Sequence, residues 1–248
     1  MQALCPIITS QQLTDAIFAI TVDAGELGRK ALPGQFVHVK CGGQTLLRRP
    51  ISICDAKEGY LKIVFQAKGA GTKWLAEKKS GALDLLGPLG YGFDVSGRNI
   101  LLVGGGIGVP PLLFAARRAQ GISTAILGFQ NADAVILKNH FRDVCKETII
   151  TTNDGSAGEE GFVTGPLARL LEKGGYDGVL SCGPTPMLKA VAQVAAQFNV
   201  PCQVSLEERM ACGVGACVGC AVMMNSGHNL RVCHDGPVFL ASEVAWNG

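Results

Sequence analysis

The rhythm of apolar and polar positions changes about a third of the way along this chain. Up to about residue 95, short apolar-rich stretches are cut by turn signals. Residues 16–22, 35–40, 51–54 and 60–65 read as strands, and Gln35-Phe36-Val37-His38-Val39-Lys40 alternates with the period of two expected of a half-buried strand. Ala24-Gly25, Pro33-Gly34, Gly42-Gly43 and Glu58-Gly59 separate these stretches. Several short strands at regular spacing predict an antiparallel barrel or sandwich. After the turn-rich residues 86–92 the apolar runs become continuous. Residues 99–103, 124–129, 147–152 and 179–182 read as buried strands, with a helix predicted over 112–120. A second helix follows Gly183-Pro184, with Thr185 as its cap, Pro186 at its first position, and Met187, Leu188, Val191, Ala195 and Phe198 on one face. Strands alternating with helices predict a parallel α/β sheet. The expected fold is therefore α+β and multi-domain: an antiparallel β-barrel over residues 1–97, a parallel α/β domain over 98–204, and a small C-terminal domain over 205–248.

Composition narrows the class. The chain has 248 residues, 48% hydrophobic and 17% charged, which suits a folded core rather than disorder. Lys and Arg number 22 against 20 Asp and Glu, so no charge excess points to nucleic acid or to a membrane surface. The apolar run 100–114 is too short, and too interrupted by Gly104, Gly105, Gly106, Gly108, Pro110 and Pro111, to span a bilayer. The first residues lack a charged stretch followed by an apolar one, so a cytoplasmic protein with reduced thiols is expected.

The C-terminal cysteines change the picture most. Cys212, Cys217 and Cys220 have the spacing C-x4-C-x2-C, and Cys233 follows after twelve residues. That is the plant-type spacing for a [2Fe–2S] cluster, in which four thiolates hold two irons. Gly213, Gly215 and Gly219 lie between the ligands, where the chain must wrap tightly. Zinc sites favour two separate C-x2-4-C pairs, whereas here Cys217 is shared between Cys212 and Cys220 and Cys233 stands apart, while disulfides suit a secreted context. The other six cysteines scatter without pairing.

Three further stretches carry binding chemistry. Arg48-Arg49-Pro50-Ile51-Ser52 offers a guanidinium and a hydroxyl able to hold a diphosphate. Lys68-Gly69-Ala70-Gly71-Thr72 opens a helix expected over 73–79, with Thr72 as cap. Gly104-Gly105-Gly106-Ile107-Gly108-Val109-Pro110-Pro111 joins a strand to a helix, the order in which loop amides meet a pyrophosphate, although Val109 stands where the dinucleotide fingerprint has its third glycine. No Arg stands between Phe129-Gln130-Asn131, at the end of the strand, and Lys138, which favours NAD over NADP. Asp154 reads as a turn residue. His38, His140, His228 and His234 read as ordinary polar residues, and no catalytic acid or base is expected.

These motifs resemble the ferredoxin–NADP reductase superfamily. Arg49-Pro50-Ile51-Ser52 and Gly71-Thr72 look like its flavin elements, with Ile51 where that family has an aromatic residue. The resemblance implies FAD, with Val64, Phe65 and Gln66 beside the flavin. Gly104, Gly105, Gly106 and Gly108 look like its nicotinamide loop, and Cys182-Gly183-Pro184 like its element beside the nicotinamide; taken alone, Cys182 reads as a small buried hydrophobe. Over nearly the whole chain the sequence resembles the electron-transfer subunits of NAD-dependent (class 1B) dihydroorotate dehydrogenase, notably in residues 205–217 and 232–239. That resemblance implies FAD, a [2Fe–2S] cluster and NAD, and a role in pyrimidine (UMP) biosynthesis. It also implies a catalytic partner subunit carrying FMN, from which electrons pass through the cluster and FAD to NAD+, in a heterotetramer of two copies of each subunit. The small subunit of an NADH-dependent ferredoxin:NADP oxidoreductase is similar in domain order, though ligation there can include a carboxylate where this chain has four cysteines. A zinc-stabilised, non-enzymatic adaptor on a reductase fold is the alternative from another class.

Overall fold

The computed structural model describes residues 1–42 and 45–246. Six antiparallel strands close a barrel: β1 (Gln2–Gln12), β2 (Ile17–Asp23), β3 (Phe36–Val39), β4 (Arg49–Lys57), β5 (Tyr60–Gln66) and β6 (Ala82–Leu89), in the order β1-β2-β5-β4-β3-β6. β1 also pairs with β6, so the barrel has no free edge. Ile20, Val22, Val37, Val39, Ile53, Leu61, Ile63, Leu83 and Leu85 fill its interior. Four of the six strands follow the sequence pattern. β1 does not, because it carries Pro6 and a polar end. β6 does not, because Gly87-Pro88 lies inside it, so half of the supposed boundary turn is strand. Gly43, in the expected Gly42-Gly43 turn, lies outside the described residues.

Two short helices decorate the barrel, α1 (Glu26–Lys30) and α2 (Ala70–Ala76). α2 starts three residues earlier than the sequence predicts. Its cap is Gly69, and Thr72 sits in the first turn, its hydroxyl accepting from the amides of Lys68 and Gly69 at 2.9 and 3.1 Å.

The second layer is a sheet with helices on both faces. β7 (Asn99–Gly105), α3 (Val109–Arg118), β8 (Ile122–Phe129), α4 (Lys138–Arg142), β9 (Glu147–Thr152), β10 (Glu159–Glu160), α5 (Thr164–Lys173), β11 (Gly178–Cys182), α6 (Thr185–Gln197) and β12 (Cys202–Ser205) follow in sequence. The six strands among them are parallel, in the order β10-β9-β8-β7-β11-β12. Leu101 and Val103 face α5 and α6, while Ile100 and Leu102 face α3 and α4. The central strands β7 and β8 are buried on both faces, which is why they read as largely apolar runs. The helices differ from expectation at their starts. α3 begins at Val109, and α6 is capped by Pro184, so Thr185 is already helical and makes no side-chain cap.

α3 also fastens the two layers together. Phe114 is buried in the barrel's core cluster, Arg117 pairs with Asp55, and Arg118 donates to the Ala56 carbonyl at 3.1 Å. Burying a phenylalanine contributes about 1.5–3 kcal/mol.

The C-terminal segment is joined to the second layer by a strand. After the hairpin β13 (Ala221–Met223) and β14 (Asn229–Arg231), strand β15 (Val238–Leu240) adds antiparallel to β12, extending the nucleotide-type sheet to seven strands. The Leu206 amide donates to the Pro237 carbonyl at 2.9 Å, so the cysteine-bearing loop is pinned at both ends. Among the described residues no helix is long and apolar enough to cross a membrane.

Candidate functional site

Strand order creates the first half of the site. The sheet reverses direction of growth between β7 and β11, and crevices open at the carboxyl ends of strands at such a switch point. The loops there are Gly104–Gly108 and Gly183-Pro184. Gly105, Gly106, Gly108, Gly183 and Pro184 line a cleft of about 1190 Å³, together with Phe129, Gln130, Asn153 and Met187. A Cβ on Gly108 would stand 2.4 Å from the Cys182 carbonyl oxygen, and one on Gly105 would stand 2.4 Å from the Met187 sulfur. Only bare backbone fits here. Pro110 and Pro111 have no N–H, so the donors available to a phosphate are amides of the glycine turn itself. Gly104 and Cys182 lie beneath this cleft. Gly104 packs on Val109 and Leu112, and burial pushes the Cys182 thiol up to about 12. The cations lining the cleft are Lys68 and Lys73, both from the barrel side; no Arg is among its described lining residues. Asp154 accepts from the Ser156 amide at 3.0 Å and from its hydroxyl at 2.6 Å, closing a turn.

The second half lies between the barrel and the C-terminal segment. A cleft of about 370 Å³ is lined by Pro50, Ile51, Ser52, Val64, Phe65, Gln66 and Thr72, residues the sequence already marks. Phe36, Lys68, Ser205, Leu206, Glu207, Met210 and Pro237 complete it. Lys68 apart, sequence reasoning missed these because all but Phe36 come from the cysteine-bearing segment, and only the tertiary fold brings it here. Arg48 and Arg49 diverge at the start of β4. Arg48 grips both carboxylate oxygens of Asp84 at 2.9 Å and is used up in the barrel. Arg49 is not among the residues lining the cleft; it donates to the Leu47 carbonyl at 2.7 Å and rests on α2, where a Cβ on Gly71 would come 2.8 Å from its Nε. Arg49, Gly71 and Thr72, about twenty residues apart in sequence, are thus neighbours at the start of α2. Gln66, Lys68, Ile107 and Glu207 line both clefts, so the two adjoin. The surrounding protein raises the Glu207 carboxyl pKa by desolvation, and Lys68 partly offsets this.

Cys212, Cys217 and Cys220 share one loop, and Cys233, just beyond β14, meets it at Gly215. The Cys217 amide donates to the Cys212 sulfur, and the Cys233 amide to that of Cys220, which sets Cys212 beside Cys217 and Cys220 beside Cys233. Among the described residues no three His, Cys, Asp or Glu side chains gather about one ion-sized point. Two thiols on each of two centres is what a binuclear cluster asks of its ligands. Backbone amides already face the sulfurs: Val214 and Cys217 donate to Cys212 at 3.4 Å, Gly215 to Cys233 at 3.2 Å, and Cys233 to Cys220 at 3.4 Å. The Val214 amide, with that of Cys217 assisting, draws the Cys212 pKa down to about 6, while burial pushes that of Cys233 up. The pairs differ in exposure: Cys220 and Cys233 are both 2% exposed, whereas Cys217 is at the surface. Gly213 and Gly215 turn through φ of +72° and +80°, and Arg231 ties the loop down, donating to the Gly215 carbonyl and making a two-pronged ion pair with Asp235. Cys5, Cys41, Cys54, Cys145, Cys182 and Cys202 are free and buried.

His38 departs from an ordinary polar residue. It is 0% exposed, and neither ring nitrogen has a hydrogen-bond partner among the described residues. Burial, reinforced by Arg48, lowers its pKa to about 4, so the ring is neutral at pH 7. An unsatisfied buried donor costs about 1–3 kcal/mol.

Comparison with known proteins agrees with this geometry. Residues 207–245 match a family model described as the iron–sulfur cluster binding domain of dihydroorotate dehydrogenase B. The chain is 40% identical over 244 residues to the dihydroorotate dehydrogenase B (NAD(+)) electron transfer subunit of Caldanaerobacter subterraneus subsp. tengcongensis, covering 96% of each. It is 43% identical over 254 residues to the subunit so named in Bacillus caldolyticus, again covering 96% of each. Among solved structures, one concerned with the NADH-dependent reduced ferredoxin-NADP oxidoreductase superposes with a TM-score of 0.90 at 32% identity, over 99% of this chain and 91% of that one. A ferredoxin NADP+ reductase from Neisseria gonorrhoeae with bound FAD and NADP shares the fold, with a TM-score of 0.66 at 16% identity over 79% of this chain and 91% of that one.

Proposed function

The chain belongs to the family of electron-transfer subunits of NAD(+)-dependent dihydroorotate dehydrogenase B, and on that premise we propose how its residues divide the work. It is an oxidoreductase subunit with FAD, a [2Fe–2S] cluster and NAD as its groups, acting with a catalytic partner subunit. When bound, flavin exchanges paired electrons with nicotinamide and single electrons with an iron–sulfur centre. Residues 1–97 form the FAD domain, 98–204 the NAD domain and 205–248 the cluster domain. Arg49, with Gly71 and Thr72 behind it, holds the FAD diphosphate. Pro50, Ile51, Ser52, Val64, Phe65 and Gln66 seat its ring. Gly104, Gly105, Gly106 and Gly108 let NAD(H) approach the backbone, and Cys182, Gly183 and Pro184 shape the nicotinamide end. Cys212, Cys217, Cys220 and Cys233 hold the cluster. No residue acts as a catalytic acid or base; the protein binds, orients and excludes water.

The partner carries FMN and oxidises dihydroorotate in pyrimidine synthesis, in a cytoplasmic assembly of two copies of each subunit. It docks over the cluster loop, where Val214 and Val218 are 50% and 57% exposed beside Cys217. The observation that carries this proposal is the adjacency of three features: Met210, two residues before Cys212, lines the flavin cleft, and that cleft shares Gln66, Lys68, Ile107 and Glu207 with the glycine crevice. Co-purification is the test. An FMN-bearing partner that oxidises dihydroorotate should come down with this chain. A partner that reduces ferredoxin would instead support the second reading, which the 0.90 TM-score favours and which the four-cysteine ligand set and the 40–43% identities oppose.

A further inference from the structure

His38 sits on β3, one pleat along from Phe36, a residue of the flavin cleft. It therefore points outward from the barrel, toward the segment that carries the cysteines. Outward residues of a barrel usually meet water, yet this one is 0% exposed because the cysteine loop covers it. The contact is close. A Cβ on Gly213 would lie 2.6 Å from His38 Cε1, 2.7 Å from Nδ1 and 3.0 Å from Nε2. The nitrogen-bearing edge of the ring thus faces the residue directly after Cys212. Gly213 adopts a φ of +72°, so both its shape and its conformation are needed for the loop to close on the ring. The ring is fixed from two other sides. The Phe36 ring centroid is 5.7 Å away, and Arg48, itself anchored to Asp84, donates to the His38 carbonyl at 3.3 Å. A neutral imidazole always carries one N–H. Here it has no acceptor among the described residues, although the backbone around it is held in place.

We propose that the acceptor is the iron–sulfur centre: His38 donates a hydrogen bond to a sulfur of the group held by Cys212, Cys217, Cys220 and Cys233, and so raises its reduction potential. This rests on the cluster assignment made above. Reduction adds negative charge to the sulfurs, and a buried N–H stabilises that charge more in the reduced than in the oxidised form. The amides of Val214, Gly215, Cys217 and Cys233 serve from within the loop; His38 would be the donor supplied by the flavin-binding barrel.

The experiment is a redox titration of the paramagnetic signal in the anaerobic complex of the full chain with its partner. His38→Phe keeps the shape of the site and removes the donor. It should lower the reduced-to-oxidised ratio at a fixed poise about tenfold, which is about 59 mV for one electron. His38→Gln keeps an N–H and should remain within about threefold of the wild type. An unchanged potential in His38→Phe, or equal shifts in both variants, overturns the proposal. A second readout keeps the test decisive if the variants lose iron. In protein labelled with 15N-histidine, the reduced centre should show a histidine-nitrogen hyperfine coupling, in the wild type and equally in His234→Asn. No coupling in the wild type, or its loss in His234→Asn, overturns the proposal. Absence of any iron signal in the wild type would instead refute the cluster assignment.

Discussion

The cysteine loop and the glycine crevice are built in opposite ways. In the loop the chemistry is in side chains: four thiols in two pairs, with glycines and amides arranged around them. In the crevice it is in the absence of side chains, since Gly105 and Gly108 leave room where a Cβ would stand 2.4 Å from a neighbour. A site of the first kind fails when one group is removed. A site of the second kind fails when one group is added, and it fails by degrees. The cleft of Ile51, Ser52 and Val64 lies between them in kind, with apolar walls such as Phe36, Ile51 and Val64 and charged groups such as Lys68 and Glu207.

Substitutions sharpen this contrast. Cys217→Ser should have the largest effect, complete loss of the cluster, while NADH still bleaches the flavin because the clefts that hold both are untouched; iron content and flavin absorbance report the two separately. If NADH no longer reduces the flavin, the loop and the crevice are not independent and the comparison breaks. Arg49→Ala should weaken FAD retention by about 1.5–3 kcal/mol through loss of charge-assisted hydrogen bonds, read as a ten- to hundredfold rise in flavin dissociation constant. Gly108→Ala should cost about 1–3 kcal/mol by overpacking, appearing as a raised KM for NADH with iron and FAD retained; an unchanged KM would mean that the crevice does not rely on bare backbone. Arg117→Ala, in a half-exposed ion pair with Asp55 belonging to neither site, should lower stability by at most about 1 kcal/mol in denaturant unfolding and leave all three groups bound.

The same division explains what could be read from the sequence. Cysteine spacing is local and survives without a fold, so the ligand loop is legible; the βα units are legible because strands buried on both faces are continuously apolar. What escaped needs a partner to be visible. β1 and β6 are strands because each is paired on both sides, β1 with β2 and β6, β6 with β3 and β1, and β15 because β12 offers an edge. The start of α2 was misplaced because Thr72 looks like a cap, whereas its hydroxyl reaches back to Lys68 and Gly69 from inside the first turn. His38 fits a period-two pattern that implies one buried face; all four residues of β3 are buried, since the cysteine loop covers the outer face. Phe36, Glu207 and Met210 line the flavin cleft for the same reason, and nothing in their local sequence marks them.

The most direct test is electron paramagnetic resonance of anaerobically prepared, dithionite-reduced protein, with metal analysis of the same sample. A [2Fe–2S] cluster on the four cysteines would give about two irons per chain and one iron-centred unpaired spin that disappears on reoxidation. A diamagnetic reduced sample, or zinc in place of iron, would contradict the account.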